Sequence, residues 1–320
     1  MILIITDPGD PHLPFVTRHL KKAEYVVLDV GVVTGGARLT YDLGKDGLRV
    51  KYEGKELKNV TGVWYRRPRV AKDDLHLNIR PDYQDYAYGA LQKIISQLYT
   101  LFDDAIWISN LYAIRRADNK LLQLRIAKQL GFNVPESCFT SDPTAAEEFV
   151  DKHRKAIVKP LSDEWPKPTK EDTQPAFYAR KISADESINY SGLHLAPAIF
   201  QQLIDPDFDI RVTVIGTKVF AAKVETSGFT TKVVRDWRLG HAEGKLRFKP
   251  YELPPVIVKK CVQLTRELGL NFGAIDLIQT KDGSIWFLEI NPNGQWGFIE
   301  WATKQPLGKA MAELLKSGKS

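Results

Sequence analysis

Asp276 and Glu289 stand inside two apolar runs, "FGAIDLIQ" and "IWFLEIN", with Asp282-Gly283 between them. Asp-Gly between two strand-like runs predicts a two-residue hairpin turn. Counting outward from that turn sets Asp276 directly opposite Glu289, and Asn291 lies two residues further along the same face. Two opposed carboxylates repel each other, and burying them costs more still. They can share a proton, pair with Arg or Lys, or hold a divalent cation. The amide oxygen of Asn291 favours the cation, as a third hard donor. Mg2+ needs few protein oxygens and takes the rest of its shell from water and phosphates. The plain alternative is a hairpin with one solvated face.

Cations with matching placement occur earlier in the chain. Lys159 sits in the apolar run "AIVKPL", and Lys120 opens "NKLLQLRIAKQLG". Arg211 lies in "DFDIRVTVIG" with Asp209 on its face. Each has an ordinary reading alone: a snorkelling edge-strand lysine, a solvated first-turn lysine, a surface ion pair. Their order along the chain is more informative than any one of them.

The elements that must position these residues fall into three units: 1–115, 116–197 and 198–320. In the first, "ILIIT", "YVVLDVG", "VTGVWYRRP" and "IWISN" read as strands, with helices over 11–23 and 81–102. "ARLTYDL" and "GLRVKYEG" form a hairpin around residues 44–47. In the second, a helix over 118–130 ends at Gly131, and Asp142-Pro143 opens another as cap and first residue. Strands "AIVKPL" and "FYARKIS" flank the polar, Pro-rich segment 162–174, a candidate lid. The third unit has the strands "AIFQQLI", "DIRVTVIG" and "KVFAAKVET". They are followed by the helix "PPVIVKKCVQLTRELG", the acidic hairpin and a last helix from Pro306.

Composition narrows the class. Of 320 residues, 43% are hydrophobic and 26% charged, an ordinary soluble balance. Two distant cysteines, Cys138 and Cys261, build neither a disulfide framework nor a metal cluster, so a reducing cytoplasm is expected. Met1 leads straight into an apolar strand, unlike a signal peptide, and no apolar run reaches the length of a membrane span. A net charge of +6 suits an acidic partner, but no nucleic-acid module is present.

The motifs "IVKP", "FQQLI", "DIRVTVIG", "GAIDL" and "FLEINPNGQWGFIE" together resemble the ATP-grasp superfamily. Within it the chain is similar to the microviridin-type peptide maturases, the graspetide ligases of RiPP biosynthesis. That narrower likeness rests on "VWYRRP", "VRDWR" and "INPNGQWGFIE". The resemblance implies an α/β ATP-grasp fold: an N-terminal pre-ATP-grasp domain, a central α/β lobe and a C-terminal antiparallel sheet with helices. It implies ATP and Mg2+ as cofactors and a precursor peptide (leader plus acidic core) as substrate. It also implies a cytoplasmic homodimer without nucleic-acid or membrane partners.

Carried over by residue, the resemblance gives Lys120 and Lys159 to the ATP phosphates and adenine edge. Gln201, Gln202, Leu203 and Ile204 form the adenine hinge, Asp209 lies near the ribose, and Asp276, Glu289 and Asn291 are the metal ligands. Glu225 stands where related ligases often have a basic residue, leaving Lys223 and Arg211 as alternatives for the β/γ-phosphate cation. Arg235 and Arg238 are assigned to steering the acidic peptide and acyl phosphate, and Asp236 to orienting an Arg or helping deprotonate the nucleophile; a surface ion-pair cluster is the alternative. Arg66 and Arg67 point to opposite sides if their strand continues, one toward the cleft and one toward a domain interface. Trp296 and Trp301 pack the lid, the peptide or the core. The implied reaction activates Asp or Glu side chains as acyl phosphates, which Thr, Ser or Lys side chains of the same peptide then attack. A ligase adding a free amino acid, or a non-catalytic binding module, are the other readings; three retained metal ligands argue against the last.

Overall fold

Ile2–Thr6 is buried at every position, as an unbroken apolar run requires of a strand covered on both faces. The computed structural model describes residues 1–30, 38–68, 79–161, 179–226 and 246–318. The first unit runs β1 (Ile2–Thr6), α1 (Leu13–Thr17), β2 (Tyr25–Leu28), β3 (Leu39–Gly44), β4 (Gly47–Tyr52), β5 (Lys55–Glu56), β6 (Gly62–Arg66), α2 (Gln84–Gln97) and β7 (Ile106–Ile108). Strands β2-β1-β6-β7 form a parallel sheet. The hairpin around 44–47 is present, with Gly44 paired to Gly47. The helix expected over 11–23 is only five residues long and buries Val16 alone, so it lacks the apolar stripe that would extend it.

The helix expected over 118–130 is present, and a shorter, unexpected one precedes it. Helix α3 (Leu111–Ala117) is capped by Asn110, and α4 (Lys120–Gln129) by Asn119, whose side chain accepts the Leu122 N–H. The Asn119 cap separates the two helices and starts the second with Lys120 in its first turn. The central sheet follows, built from β8 (Ser137–Thr140), α5 (Pro143–His153), β9 (Lys155–Pro160), β10 (Arg180–Ser183) and β11 (Ala198–Gln202). Its order is β10-β9-β11-β8, antiparallel throughout.

The third unit comprises β12 (Phe208–Ile215), β13 (Lys218–Thr226), β14 (Leu246–Pro250), α6 (Pro255–Glu267), β15 (Phe272–Gln279), β16 (Ile285–Asn291), α7 (Gly297–Thr303) and α8 (Leu307–Ser317). Its antiparallel sheet has the order β14-β13-β12-β15-β16. One face, with Ile210, Val212, Ile275 and Leu277, packs on α6 and on α3 and α4. Helices α3 and α4 therefore build the core of the third sheet, not that of the central one. On the other face, Ile215, Phe272 and Ala274 join Ile2, Ile4 and Trp64 of the first unit and Met311 and Leu315 of α8.

The first and third units thus share one core. The fit is close: a Cβ on Gly62 would lie 2.3 Å from the Leu315 carbonyl oxygen, and one on Gly308 would lie 2.1 Å from that of Phe15. Beyond this packed half, the same sheet face carries Arg211, Asp276, Glu289 and Asn291. No described helix is long and apolar enough to cross a membrane.

Candidate active site

Asp276 pairs with Glu289 across β15 and β16, and with Arg211 across β12 and β15. The three side chains form one row across the sheet. The pairing is the expected one, but the turn differs. Gln279 pairs with Ile285, so the loop is longer than two residues, with Gly283 at φ 85°. The register then slips between Asp276 and Leu277, leaving Leu288 as an extra residue on β16. This bulge cancels the longer turn and restores Glu289 to its place opposite Asp276.

Both carboxylates have cations. Arg211 Nη1 donates to Asp276 Oδ1 at 2.8 Å, and Lys120 Nζ donates to Glu289 Oε2 at 2.7 Å. The row therefore reads positive, negative, negative, positive. Arg211 and Asp276 are buried, while the Lys120 and Glu289 side chains are 32% and 20% exposed. The flanking cations offset the repulsion of the central pair. The solvated-hairpin alternative does not hold.

Asn291 faces Ala274 on the same side, and its Oδ1 accepts the Asn293 N–H at 3.1 Å. Two carboxylates and an amide oxygen are hard donors suited to a divalent ion such as Mg2+. Among the described residues no group of three or more His, Cys, Asp or Glu is gathered. That sparse donor set fits an ion that completes its shell from water and phosphate oxygens.

Lys120 is held in reach by Gln123, a buried polar residue one turn further along α4. Gln123 Nε2 donates to the Ile290 carbonyl at 2.8 Å, and its Oε1 accepts the Ile290 N–H at 3.1 Å. Strand β16 is the sheet edge, and this amide closes part of it. Gln123 escapes sequence reading, although a glutamine on the apolar face of a helix is the signal for it.

Lys159 lies on β9, an interior strand and not an edge. Its Nζ donates to Gln201 Oε1 at 2.8 Å, and Gln201 Nε2 donates to Ser137 Oγ at 3.0 Å. Both side chains lie opposite the face where Ala156, Val158 and Phe200 pack on α5. Gln202 exchanges bonds with the backbone of Glu136, and Leu203 and Ile204 follow in the link to β12. Asp209 shares the face of Arg211, two residues before it. Lys223 does not: it pairs with Ile210 on the opposite face, with its Nζ 3.9 Å from the centre of the Phe208 ring. Strand alternation thus separates Lys223 from the acidic row and leaves Arg211 as the cation beside it. Arg235, Asp236, Arg238 and segment 162–174 lie outside the described residues.

The loop after Asn291 is gripped by the first unit. Strand β6 ends at Arg66, and Arg67 turns to φ 43°, so the two side chains converge instead of diverging. Arg66 Nη1 and Arg67 Nε both donate to the Asn293 carbonyl, at 2.8 and 2.9 Å. Gly294 lies where a Cβ would meet Ala274 at 2.7 Å and Arg211 Nη2 at 2.9 Å, and Arg211 Nη2 donates to the Gln295 carbonyl at 3.1 Å. Trp296 is buried and donates its N–H to His12 Nε2 at 3.2 Å, whereas Trp301 is exposed. Nε2 therefore carries no proton, and Nδ1–H donates to Asp10 at 2.8 Å.

Burial holds the His12 imidazole below its ordinary range despite the pull of Asp10, with Arg66 adding to the effect. Burial works to raise the Asp10 carboxyl, but the His12 bond and the Arg66 charge outweigh it and bring it below the usual range. Burial brings the Arg66 guanidinium down to about 10. Asp10 and His12 carry no motif that marks them in the sequence, and Asn293 lies in the quoted "INPNGQWGFIE" without a role assigned to it.

No family model matches the chain. It is similar to the tetrahydromethanopterin:alpha-L-glutamate ligase of Methanocaldococcus jannaschii, 26% identical over 190 residues, covering 57% of this chain and 60% of that protein. The chain therefore spans less than two thirds of that curated relative. Among solved structures, it is similar to the RiPP-associated ATP-grasp ligase of Chryseobacterium gregarium, in complex with ADP and a leader and core peptide. That likeness has a TM-score of 0.89 and 24% identity, over 99% of this chain and 96% of the other. It is also similar to the macrocyclase MdnC of Microcystis aeruginosa, bound with precursor peptide MdnA, with a TM-score of 0.82 and 26% identity over 99% of each chain. The fold is the ATP-grasp fold over nearly the whole chain.

Proposed function

We propose that this chain is an ADP-forming peptide ligase that closes ω-ester or ω-amide rings within a ribosomally made precursor peptide. The observation that carries the proposal is the row Arg211–Asp276–Glu289–Lys120 with Asn291 beside it. Its support comes from the likeness, over 99% of both chains, to a macrocyclase bound with its precursor.

Asp276, Glu289 and Asn291 would hold Mg2+, which neutralises phosphate charge when bound. Lys120 lies at the Glu289 end of the row and is placed for the ATP phosphates. Arg211 lies at the Asp276 end and serves as the β/γ-phosphate cation. Lys159 and Gln201 sit on the central sheet beside the 201–204 hinge and serve the adenine side. A precursor carboxylate oxygen attacks the γ-phosphorus, the bond to the bridging oxygen breaks, and ADP leaves. A Thr or Ser hydroxyl, or a Lys amine, then attacks the acyl carbon, and phosphate and a proton depart. Fixed cations stabilise the charge that moves onto the leaving oxygen. The reading includes a homodimer, and it includes Arg235, Asp236 and Arg238 as contacts of the acidic peptide.

Hydroxylamine tests the acyl phosphate. Enzyme, ATP, Mg2+ and an acidic precursor peptide should yield a peptide hydroxamate, and Glu289→Gln should yield none. Equal hydroxamate from that variant would refute the metal assignment. The second reading, transfer of a free amino acid onto a peptide or protein, has as its nearest support a relative that joins glutamate to tetrahydromethanopterin.

A further inference from the structure

We infer that Arg66 and Arg67 of the first unit are positioning residues for the metal ligands of the third. The inference rests on the metal reading above. Both guanidinium groups donate to one acceptor, the Asn293 carbonyl, and Arg66 Nη1 also reaches Asn293 Oδ1 at 3.1 Å. The N–H of the same residue donates to Asn291 Oδ1. Fixing Asn293 therefore fixes which way the Asn291 amide points.

The same loop fixes the second ligand. The Gln295 carbonyl accepts from Arg211 Nη2, while Arg211 Nη1 holds Asp276. Gly294, packed on Ala274 and Arg211, joins the two anchor points without room for a side chain. His12 pins the far end at the Trp296 N–H. Residues 293–296 form a strap between the first unit and two of the three donors.

Arg67 adds an independent sign. A non-glycine residue at φ 43° is strained. That conformation brings the second guanidinium onto a carbonyl the first already serves. Such strain persists where surrounding contacts hold it, and it is concentrated at functional positions. Outer partners that orient a metal ligand typically change metal affinity by 10- to 100-fold when removed.

The test uses Mn2+ as the probe, its binding to the full-length enzyme–ADP complex followed by water proton relaxation. ADP affinity in chelator and the unfolding temperature are measured beside it. Arg67→Gly relieves the strained φ and removes only the side chain. It should keep or raise the unfolding temperature and leave chelator-state ADP affinity unchanged, yet weaken Mn2+ about tenfold. Arg66→Lys, which keeps one donor, should weaken Mn2+ less than Arg66→Ala. Asn291→Ala is the control for the ligand itself. If Arg67→Gly and Arg66→Lys bind Mn2+ like the parent while Asn291→Ala does not, the strap has no positioning role and the metal reading survives. A loss of Mn2+ affinity that merely follows a lower unfolding temperature also overturns the inference. Parental Mn2+ affinity in Asn291→Ala would overturn the ligand assignment, and the inference with it.

Discussion

At Arg211 a single side chain satisfies a buried carboxylate and a loop carbonyl at once. Removing one partner of a buried pair leaves the other charge uncompensated, at a cost of about 3–5 kcal/mol. Arg211→Met should therefore lower unfolding free energy by about that amount as well as abolish turnover. Denaturant melts measure the first effect, and an unchanged midpoint would contradict the buried pairing. His12 makes a second prediction. Its imidazole is held neutral, below the 6.5 of an unburied histidine, so the unfolded chain takes up the proton more readily. The stability it contributes is complete above about pH 6.5 and declines as pH falls toward the folded value. Asp10, held below its ordinary 3.8, loses its own contribution only at still lower pH. Between about pH 7 and about pH 5, the melting temperature should fall more steeply in the parent than in His12→Gln. Parallel slopes would show that His12 is not the titrating group.

Two elements decide where the charges stand: the β15–β16 hairpin and helix α4. The Asp-Gly pair made the register of Asp276 and Glu289 readable from sequence. The assumed two-residue turn was wrong, and a bulge at Leu288 compensated for it. A bulge leaves no composition mark, because an extra leucine in an apolar strand looks like any other. Alternation also placed Lys223 and Arg211 on opposite faces, which residue type alone did not separate. Helix α4 was legible from its apolar spacing, but its seating on the edge of β16 through Gln123 was not, since that contact spans 167 residues of chain. Gln123→Leu should leave the Ile290 N–H and carbonyl unsatisfied, costing about 1–3 kcal/mol, and should release Lys120 from Glu289. Stability and turnover falling together would agree with this. Full turnover would mean that α4 is seated by its apolar contacts alone.

Across the whole molecule, the sheets of the first and third units meet in a shared core, while the central sheet packs on α5 in a core of its own. Most strands and helices of each unit were legible from periodicity, but β5, β8, β14, α3 and α7 were not, and β11, expected in the third unit, joins the central sheet. The shared core was not legible, because it depends on long-range fits such as Gly62 against Leu315. The "VWYRRP" and "NPNGQW" motifs were each visible, and their meeting at Asn293 was not. That meeting explains why two arginines end a strand of the first unit and why a glycine follows Asn293. Ring closure within one peptide changes that peptide's intact mass in a way no competing reaction does. A short precursor peptide with Thr or Ser and Asp or Glu side chains in its core is incubated with enzyme, ATP and Mg2+ and then weighed by mass spectrometry. Loss of one water per ring, without any added amino acid, is the predicted result. A gain equal to an amino-acid residue, or an unchanged mass with ATP consumed, would contradict it.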